Sequence, residues 1–411
     1  MIASNQRGGL RVLLYSHDTV GLGHTRRNQS IAHCLAEHLD DPSILMVTGA
    51  RESTLFDVPE CVDYVTVPSL KKVNGEYVPR RCKLDTTQLI AIRSELLLSV
   101  VQSFQPHALI VDKVPSGVCG ELGPALRYLK DAGSTKCILG LRDILDDAAT
   151  VRTEWRSSDY DRWIDDHYDA VWIYGDRRTY DHSVEYGYSA SVEKKLHYIG
   201  YLDKTYGGQK CDSRQPISLP SNRKTVVCTV GGGEDGALIA QAFAATDFPS
   251  DYIGIIVTGP YMPPSCVREI NRLAEGNSRL KVVEFLSEPE NLINRADAVV
   301  SMCGYNTACE ILALRKPALI VPRVQPRTEQ LIRALRLQER GLITMKHPHD
   351  FDSATVAKWL RSSPQPPTAV HRYLDLNGMT RLPTALLQLM QPPRAYTRSN
   401  VRLHEIQRQS P

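Results

Sequence analysis

Short apolar segments alternate with helical stretches along almost the whole chain, and this alternation limits the folds open to it more than any other feature. In the first half, helical patterns at Thr25–His38 and Gln88–Phe104 separate several of the apolar segments. The candidate strands of this half are Arg11–Ser16, Ser43–Thr48, Ala108–Val111, Lys136–Gly140 and Ala170–Tyr174. Continuous apolar strands joined through helices are typical of parallel sheets covered on both faces. The pattern therefore predicts an α/β protein.

The same pattern restarts in the second half, after a segment without hydrophobic periodicity. That segment, residues 206–221, is rich in Gly and Pro and is the predicted interdomain linker. The candidate strands that follow are Thr225–Val230, Tyr252–Val257, Lys281–Glu284, Ala298–Ser301 and Ala318–Val321. We expect two Rossmann-like, doubly wound parallel-sheet domains, residues 1–205 and 222–390. Such sheets bind ligands at the carboxyl ends of their strands, so we expect a binding cleft between the domains. Residues 391–411 carry four Arg against one Glu and are predicted to form a basic tail.

Composition narrows the function classes. The chain has 49 Lys and Arg against 46 Asp and Glu, a net charge of +3, which argues against a nucleic-acid binder held by phosphate contacts. No apolar run reaches 18 residues and the first ten residues are polar, so we expect neither a transmembrane helix nor a signal peptide. The expected location is the cytoplasm, with peripheral contact at the inner face of the membrane left open. Ten scattered cysteines without a CxxC pair predict no metal site.

One motif of the first domain, SHDTVGLGHTRR at Ser16–Arg27, follows the first strand and opens a helix. Gly21 and Gly23 allow a tight turn, and His24 then lies near the helix N-terminus at the carboxyl end of the strand. This position suits a general base, because a helix N-terminus favours the neutral imidazole that a base requires. Asp112 ends another strand at the same sheet edge. A histidine with a purely structural role is the alternative.

Three weaker features occur in the same half. Lys113 and Arg142 come at strand ends on the edge where His24 is expected. The segment Lys71–Lys83 has five basic residues against one acid and is predicted to be a mobile, solvated loop. Its functional alternative is an electropositive lip for an anionic acceptor.

A glycine-rich loop, VGGGEDGA, follows the first strand of the second domain. Gly231, Gly232 and Gly233 let the backbone approach a ligand closely, and consecutive N–H groups can form an anion nest. The loop matches neither GxGxxG nor a P-loop, and a plain tight turn explains it equally well.

A second motif of this domain begins at Gly304, where a strand ends, and Tyr305, Asn306 and Thr307 open a helix. Asn306 or Thr307 is predicted to cap that helix, with its N–H groups aimed at the sheet edge, a site that attracts a diphosphate. Glu310 lies four residues past Asn306 on the same face, where its carboxylate can accept hydrogen bonds from ribose hydroxyls. A capped helix with a solvated glutamate is the alternative.

The next strand leads into a polar segment that suits a sugar diphosphate. Arg323 and Arg327 offer charge-assisted hydrogen bonds to phosphate, and Glu329 and Gln330 can bind sugar hydroxyls. A polar loop without a ligand is the alternative.

Taken together, Glu284–Glu310 and Lys316–Ala334 resemble the donor-binding half of the GT-B glycosyltransferases of family 28, and GLGH resembles the family's N-terminal glycine loop. The resemblance implies a GT-B fold. It places the nucleobase at Phe285 and Leu286, the diphosphate at Tyr305, Asn306 and Thr307, the ribose at Glu310 and the donor sugar at Glu329 and Gln330, with His24 facing the acceptor. The sequence departs from the family pattern in two places. GGGEDGA is one residue longer than usual, and Met302 and Cys303 replace the basic and small polar residues expected there, so Arg323 or Arg327 is expected to compensate.

These observations predict a metal-independent glycosyltransferase that uses a nucleoside-diphosphate sugar as co-substrate, with uridine favoured by the resemblance alone. A nucleotide-sugar hydrolase is a rival, because its pattern GxGHxxR is met by Gly21, Gly23, His24 and Arg27. An epimerase of the same fold and a non-catalytic nucleotide-sugar-binding subunit are the others. The acceptor and the oligomeric state are not assigned by the sequence.

Overall fold

A computed structural model describes residues 9–17, 23–51, 53, 57–73, 75–203, 217–286 and 288–391. Gly21, most of the predicted linker and all but the first residue of the predicted tail lie outside these ranges. The first domain contains the strands β1 (Arg11–Ser16), β2 (Ser43–Thr48), β3 (Val62–Thr66), β4 (Leu70–Val73), β5 (Glu76–Pro79), β6 (Ala108–Asp112), β7 (Lys136–Arg142), β8 (Ala170–Tyr174) and β9 (Leu196–Tyr198). Its helices are α1 (Gly23–His38), α2 (Thr86–Phe104), α3 (Gly123–Ala132), α4 (Ala148–Ser157), α5 (Tyr160–His167), α6 (His182–Tyr186) and α7 (Ala190–Glu193).

Seven of these strands form one parallel sheet in the order β3-β2-β1-β6-β7-β8-β9. The central strands are buried along their whole length because both faces are covered, β6 and β8 being continuous apolar runs up to their last residue. The strand order reverses direction between β1 and β6, and this switch point is where an open parallel sheet binds its ligand.

The predicted loop at Lys71–Lys83 is wrong in part, because β4 and β5 pair there as an antiparallel hairpin. Its turn includes Gly75, whose φ of +90° is a conformation that glycine adopts without strain. Most side chains of the hairpin are exposed or half-buried and several are charged, so the segment carries no apolar run by which a strand would be recognised.

The second domain repeats the architecture with six parallel strands in the order β12-β11-β10-β13-β14-β15. The strands are β10 (Lys224–Thr229), β11 (Tyr252–Val257), β12 (Leu280–Val283), β13 (Ala298–Ser301), β14 (Ala318–Ile320) and β15 (Thr344–Met345). The helices are α8 (Ala237–Ala244), α9 (Pro264–Glu275), α10 (Pro289–Arg295), α11 (Tyr305–Ala313), α12 (Glu329–Glu339), α13 (Ser353–Arg361), α14 (Val370–Tyr373) and α15 (Gly378–Met390). Its switch point lies between β10 and β13. The prediction of two doubly wound parallel sheets is confirmed.

The C-terminal end of the second domain, which includes α15, packs onto the first domain. The Cys34 thiol of α1 donates to the Met379 carbonyl of α15 at 2.9 Å, and the Tyr201 N–H donates to the Asp375 carbonyl at 2.8 Å. Apolar residues of both domains share one buried cluster there. The two sheets are thereby held with their switch points facing one cleft. No helix of the described residues is long and apolar enough to cross a bilayer.

Candidate active site

A cleft of about 1280 Å³ lies between the carboxyl ends of the two sheets. Most of the described residues singled out in the sequence line it: Gly23, His24, Arg27, Gly231, Gly232, Gly233, Phe285, Leu286, Gly304, Tyr305, Asn306, Thr307, Arg323, Glu329 and Gln330. Asp112 and Glu310 are not part of the lining. These two carboxylates are 2% and 1% exposed, and each contacts a residue of α1 that does line the cleft.

His24 and Asp112 form a pair at the first switch point. His24 lies in the first turn of α1, which follows β1, and Asp112 is the last residue of β6, the strand beside β1. The His24 Nδ1 atom is 2.6 Å from Asp112 Oδ2. Arg27 of the next turn donates to both oxygens of the same carboxylate, its Nη2 atom lying 2.6 Å from each. The sheet thus brings Asp112 to His24 and Arg27, which lie 88 and 85 positions before it in the sequence.

The charges of this cluster are fixed by their mutual contacts. Burial alone raises the pKa of Asp112. The charge of Arg27, followed by that of His24 and by the hydrogen bonds of both residues, lowers the pKa by more than burial raises it, so it lies below its usual range. Asp112 is therefore an ionised carboxylate that can only accept, which favours the His24 tautomer with its hydrogen on Nδ1 and its lone pair on Nε2.

A second histidine, which the sequence did not single out, stands beside the first. The His17 and His24 rings lie 5.0 Å apart, and His17 is 3% exposed at the cleft wall. Burial, then the nearby charges of His24 and Lys113, hold the pKa of His17 well below its ordinary value, so this imidazole is neutral at pH 7.

The start of α11 faces His24 from the second domain. The predicted cap at Asn306 or Thr307 is wrong, because the extended backbone of Gly304 (φ −63°, ψ 147°) occupies the N-cap position and no side chain caps the helix. The Asn306 amide instead donates to the Gly23 carbonyl at 3.0 Å, which joins the starts of α11 and α1 across the cleft. The first N–H groups of a helix have no partner within it, so this end keeps its attraction for anions.

Tyr305 contributes its backbone rather than its ring to this helix start. The ring is buried and stacks on Tyr201, and the guanidinium groups of Arg27 and Arg333 lie 5.6 and 5.9 Å from its centre. Its hydroxyl accepts the N–H of Leu202 at 3.2 Å. The side chain therefore belongs to the interface between the domains.

Glu310 pairs with the other domain. Arg26, the neighbour of Arg27 on α1, lies 3.0 Å from the Glu310 carboxylate and 3.3 Å from Glu290. The residue predicted to bind the ribose is thus in contact with an arginine of the first domain.

The glycine loop after β10 needs its glycines. Gly231 and Gly233 have φ of +63° and +91°, and a Cβ atom on Gly233 would lie 2.3 Å from the Thr258 carbonyl oxygen. A Cβ atom on Gly259 would lie 2.4 Å from the Gly231 carbonyl oxygen, so two backbone loops are in direct contact. The positive φ values and the contact with the Thr258–Gly259 loop explain Gly231 and Gly233 structurally. A phosphate role for the glycine loop stays a prediction.

The segment after β14 is more constrained than the sequence indicates. Arg323 bridges Asp235 at 2.8 Å and Glu329 at 2.6 Å. Gln330 accepts the backbone N–H groups of Cys303 and Arg323, both at 3.2 Å. These side chains tie the three loops of the second switch point together, and their predicted contacts with the sugar stay predictions.

Arg327 reaches across the cleft to the first domain. It lies 3.0 Å from Glu154 and 3.3 Å from Asp146, and Asp146 also accepts the N–H of Thr328 at 2.8 Å. Arg327 thus helps to join the domains, a role that no local pattern indicates.

Phe285 and Leu286 follow β12 at the outer end of the cleft. Phe285 packs with Tyr261 of the second domain and Ala50 of the first. This half-buried apolar corner has the character of a nucleobase pocket, and the assignment to the base stays a prediction. Within the described ranges, no group of three His, Cys, Asp or Glu side chains is placed to hold a metal ion.

Comparisons with known proteins agree with this geometry. Residues 229–371 match the glycosyltransferase family 28 C-terminal domain. An enzyme of Rubrobacter xylanophilus named UDP-N-acetylglucosamine--N-acetylmuramyl-(pentapeptide) pyrophosphoryl-undecaprenol N-acetylglucosamine transferase is 28% identical over 133 residues, 32% of this chain and 38% of that enzyme. The chain thus spans about a third of the length of the curated relatives it matches.

Solved structures extend the likeness over both domains. The fold is similar to that of MurG from Acinetobacter baumannii, with a TM-score of 0.55 and 10% identity over 92% of this chain and 99% of that one. It is equally similar to UDP-GlcNAc 2-epimerase from Neisseria meningitidis bound to UDP-GlcNAc, with a TM-score of 0.55 and 12% identity over the same shares of the two chains. The chain has the GT-B fold, and its resemblance to family 28 is confirmed.

Proposed function

We propose that the protein is a glycosyltransferase that moves a sugar from a nucleoside-diphosphate sugar, with uridine as the favoured base, to a hydroxyl group of an acceptor. One observation carries the proposal: the His24–Asp112 pair of the first sheet and the open start of α11 in the second sheet face each other across one cleft. The match of residues 229–371 to a family 28 domain supports a nucleotide sugar as the donor.

His24 acts as the general base in this proposal. Asp112 holds the proton on Nδ1 and orients the ring, so Nε2 accepts the proton of the acceptor hydroxyl as the oxygen attacks the anomeric carbon. Arg27 keeps Asp112 ionised, so the imidazolium that forms is stabilised by a carboxylate that does not itself take the proton.

The start of α11 stabilises the leaving diphosphate. Its N–H groups and the positive end of its helix dipole stabilise the negative charge that develops on the diphosphate as the bond to the sugar breaks. Because these groups are positioned by the sheet before the reaction, the charge is stabilised without rearrangement of the protein. The proposal requires neither a metal ion nor a cofactor, since the nucleotide sugar is a co-substrate.

The donor site is tested by thermal unfolding with a panel of nucleoside diphosphates and their sugars. A ligand at 100 times its dissociation constant stabilises the fold by about 2.7 kcal/mol. We expect one nucleotide to raise Tm, the increase to be reduced to about half in Glu310→Gln and kept in full in the exposed control Glu275→Gln. Absence of stabilisation by every nucleotide would contradict the proposal.

The reaction is tested by product analysis with the nucleotide identified in that screen. Transfer predicts nucleoside diphosphate release that depends on an added acceptor and is lost in His24→Gln. Free sugar released at a catalytic rate without acceptor would establish a hydrolase, and a changed sugar still linked to nucleotide would establish an epimerase. Binding without turnover would establish a nucleotide-sugar-binding subunit.

The acceptor and location are proposed more broadly. The curated relatives are named for a pyrophosphoryl-undecaprenol acceptor, so polyprenyl-linked acceptors belong in the screen beside soluble sugars. We place the reaction in the cytoplasm, with peripheral contact at the inner membrane face when the acceptor is lipid-linked. Co-sedimentation of the protein with anionic vesicles, with and without such an acceptor, tests this contact.

A further inference from the structure

Two cationic side chains lie on neighbouring strands beside the His24–Asp112 pair. Lys113 follows β6 and Arg142 ends β7, and the Lys113 N–H donates to the Gly140 carbonyl of β7 at 2.9 Å. Both residues line the cleft, where Arg142 faces Glu329 of the second domain. Both residues belong to the switch point of the first sheet, and Arg142 lies near Glu329, the predicted sugar contact at the switch point of the second sheet.

Arg142 differs from the other arginines of the cleft in its pairing. Four others line it, Arg26, Arg27, Arg323 and Arg327, and each has a carboxylate oxygen within 3.0 Å. The closest carboxylate to Arg142 among the described residues is Glu329 at 4.0 Å, and Glu329 is itself only 2.6 Å from Arg323. The buried Nε atom of Arg142 has no hydrogen-bond partner in the described part of the chain.

Lys113 also lies among charges without an ion pair. No carboxylate of the described ranges is within ion-pair distance of its ammonium, and the charges that act on it are Arg142, Arg327, Glu154 and Glu329. Burial first, then the two arginines, lowers the pKa of Lys113 from 10.5 to about 7. Partly buried cations that lack a close ion pair are costly for a fold, and at a cleft wall they are typical of positions where the ligand supplies the anion.

We propose that Lys113 and Arg142 form a subsite for an anionic group of the substrate, a carboxylate or phosphate distinct from the diphosphate bound at α11. This inference rests on the proposed function. Because Arg142 lies next to Glu329, the group belongs to the transferred sugar, which makes the donor a nucleoside-diphosphate sugar acid. An acceptor with an anion beside its reacting hydroxyl offers the same chemistry from the other side of the cleft.

Titration calorimetry with UDP, UDP-glucose and UDP-glucuronate tests the subsite on the full chain. We expect UDP-glucuronate to bind roughly tenfold more tightly than UDP-glucose, because an added charge-assisted hydrogen bond is worth that factor or more. The preference should vanish in Arg142→Gln and in Lys113→Met, with the affinity for UDP unchanged. The exposed control Arg272→Gln should keep it.

Inorganic phosphate, titrated into the protein with and without saturating UDP, shows whether the anionic group belongs to the transferred sugar or to the acceptor. Phosphate binding to the UDP complex that both variants abolish, without a preference for UDP-glucuronate, would assign the anion to the acceptor. The subsite would be overturned if the protein showed no preference for UDP-glucuronate and no phosphate binding. An equal loss of UDP affinity in both variants would also overturn it, because that loss would place the two residues on the diphosphate. If no nucleotide binds, the proposed function fails, and phosphate binding by the nucleotide-free protein still decides the subsite.

Discussion

Arg26 and Arg27 are consecutive residues of α1, yet their side chains pair with carboxylates in different domains. Arg27 and Asp112 are each 2% exposed, belong to the same domain and share several hydrogen bonds. Arg26 is 15% exposed and makes one contact at 3.0 Å with Glu310 of the other domain and a longer one with Glu290. The first pair lies within the first domain, whereas the second joins α1 to the second domain. One arginine of α1 thus contacts the carboxylate beside the candidate base, and the other contacts the carboxylate that is predicted to bind the ribose.

The largest effect is expected from Asp112→Asn. The change leaves Arg27 as a buried charge without its carboxylate, which should lower the free energy of unfolding by about 3 kcal/mol. It also removes the acceptor that sets the tautomer of His24, so the turnover should fall by roughly 10⁴-fold. Urea denaturation and nucleotide-release kinetics measure the two effects.

The matched control is Asp166→Asn, which alters an exposed ion pair with Lys130 and should leave both quantities unchanged. Full activity in a folded Asp112→Asn protein would show that the buried pair serves stability alone.

His24→Gln should separate catalysis from stability. We expect a loss of turnover of about 10³-fold, because a positioned base contributes a factor of this order, with unchanged nucleotide binding. His33→Gln on the same helix is the control. Turnover that survives in His24→Gln would move the base to another residue, and His17 is the first to test because it is neutral and adjacent.

Lys113 is a third case beside Arg26 and Arg27, a half-buried amine with no paired carboxylate in the described ranges. Its pKa is lower in the folded protein, about 7, than in the unfolded chain, so the unfolded state binds more protons between pH 7 and about 10.5. The free energy of unfolding should therefore rise with pH across this window. Lys113→Met removes that dependence, so the variant should gain stability over the parent protein at pH 7 and lose roughly 3 kcal/mol of that gain by pH 10. A stability difference independent of pH, from urea titrations at both values, would contradict it.

The sequence predicts the sites that lie on single strand ends better than those that depend on both domains. His24, Asp112 and the Gly304–Glu310 segment follow strands with clear apolar signals, so their position at a sheet edge could be predicted. The pairing of Arg26 with Glu310 joins residues 284 positions apart through the orientation of the domains, and no local pattern encodes it. The β4–β5 hairpin was missed for a local reason. Its strands are short and mostly exposed, so they lack the apolar run of a buried strand. The cap was misplaced because Gly304 takes the position expected for a polar side chain.

Glu310→Gln should weaken nucleoside diphosphate binding by roughly tenfold, because a carboxylate accepts ribose hydroxyls more strongly than an amide does. Titration calorimetry with the nucleoside diphosphate and with its 2′,3′-dideoxy analogue, which lacks the ribose hydroxyls, measures the loss. Equal affinity in the variant and the parent protein would mean that the ribose binds elsewhere and that Glu310 serves only the contact between the domains.

Arg26→Gln should have the smallest effect and the opposite sign. Arg26 contacts the carboxylate that the ribose is predicted to use, so nucleotide binding must replace this ion pair, whose net contribution we take as about 0.5 kcal/mol. Removing Arg26 should therefore tighten nucleotide binding by two- to threefold, with Glu310→Gln cancelling the gain in the double variant. Arg152→Gln, on a helix of the same domain, is the control. Weaker binding in Arg26→Gln would show that this arginine contacts the nucleotide itself, and the two arginines of α1 would then both belong to the reacting site.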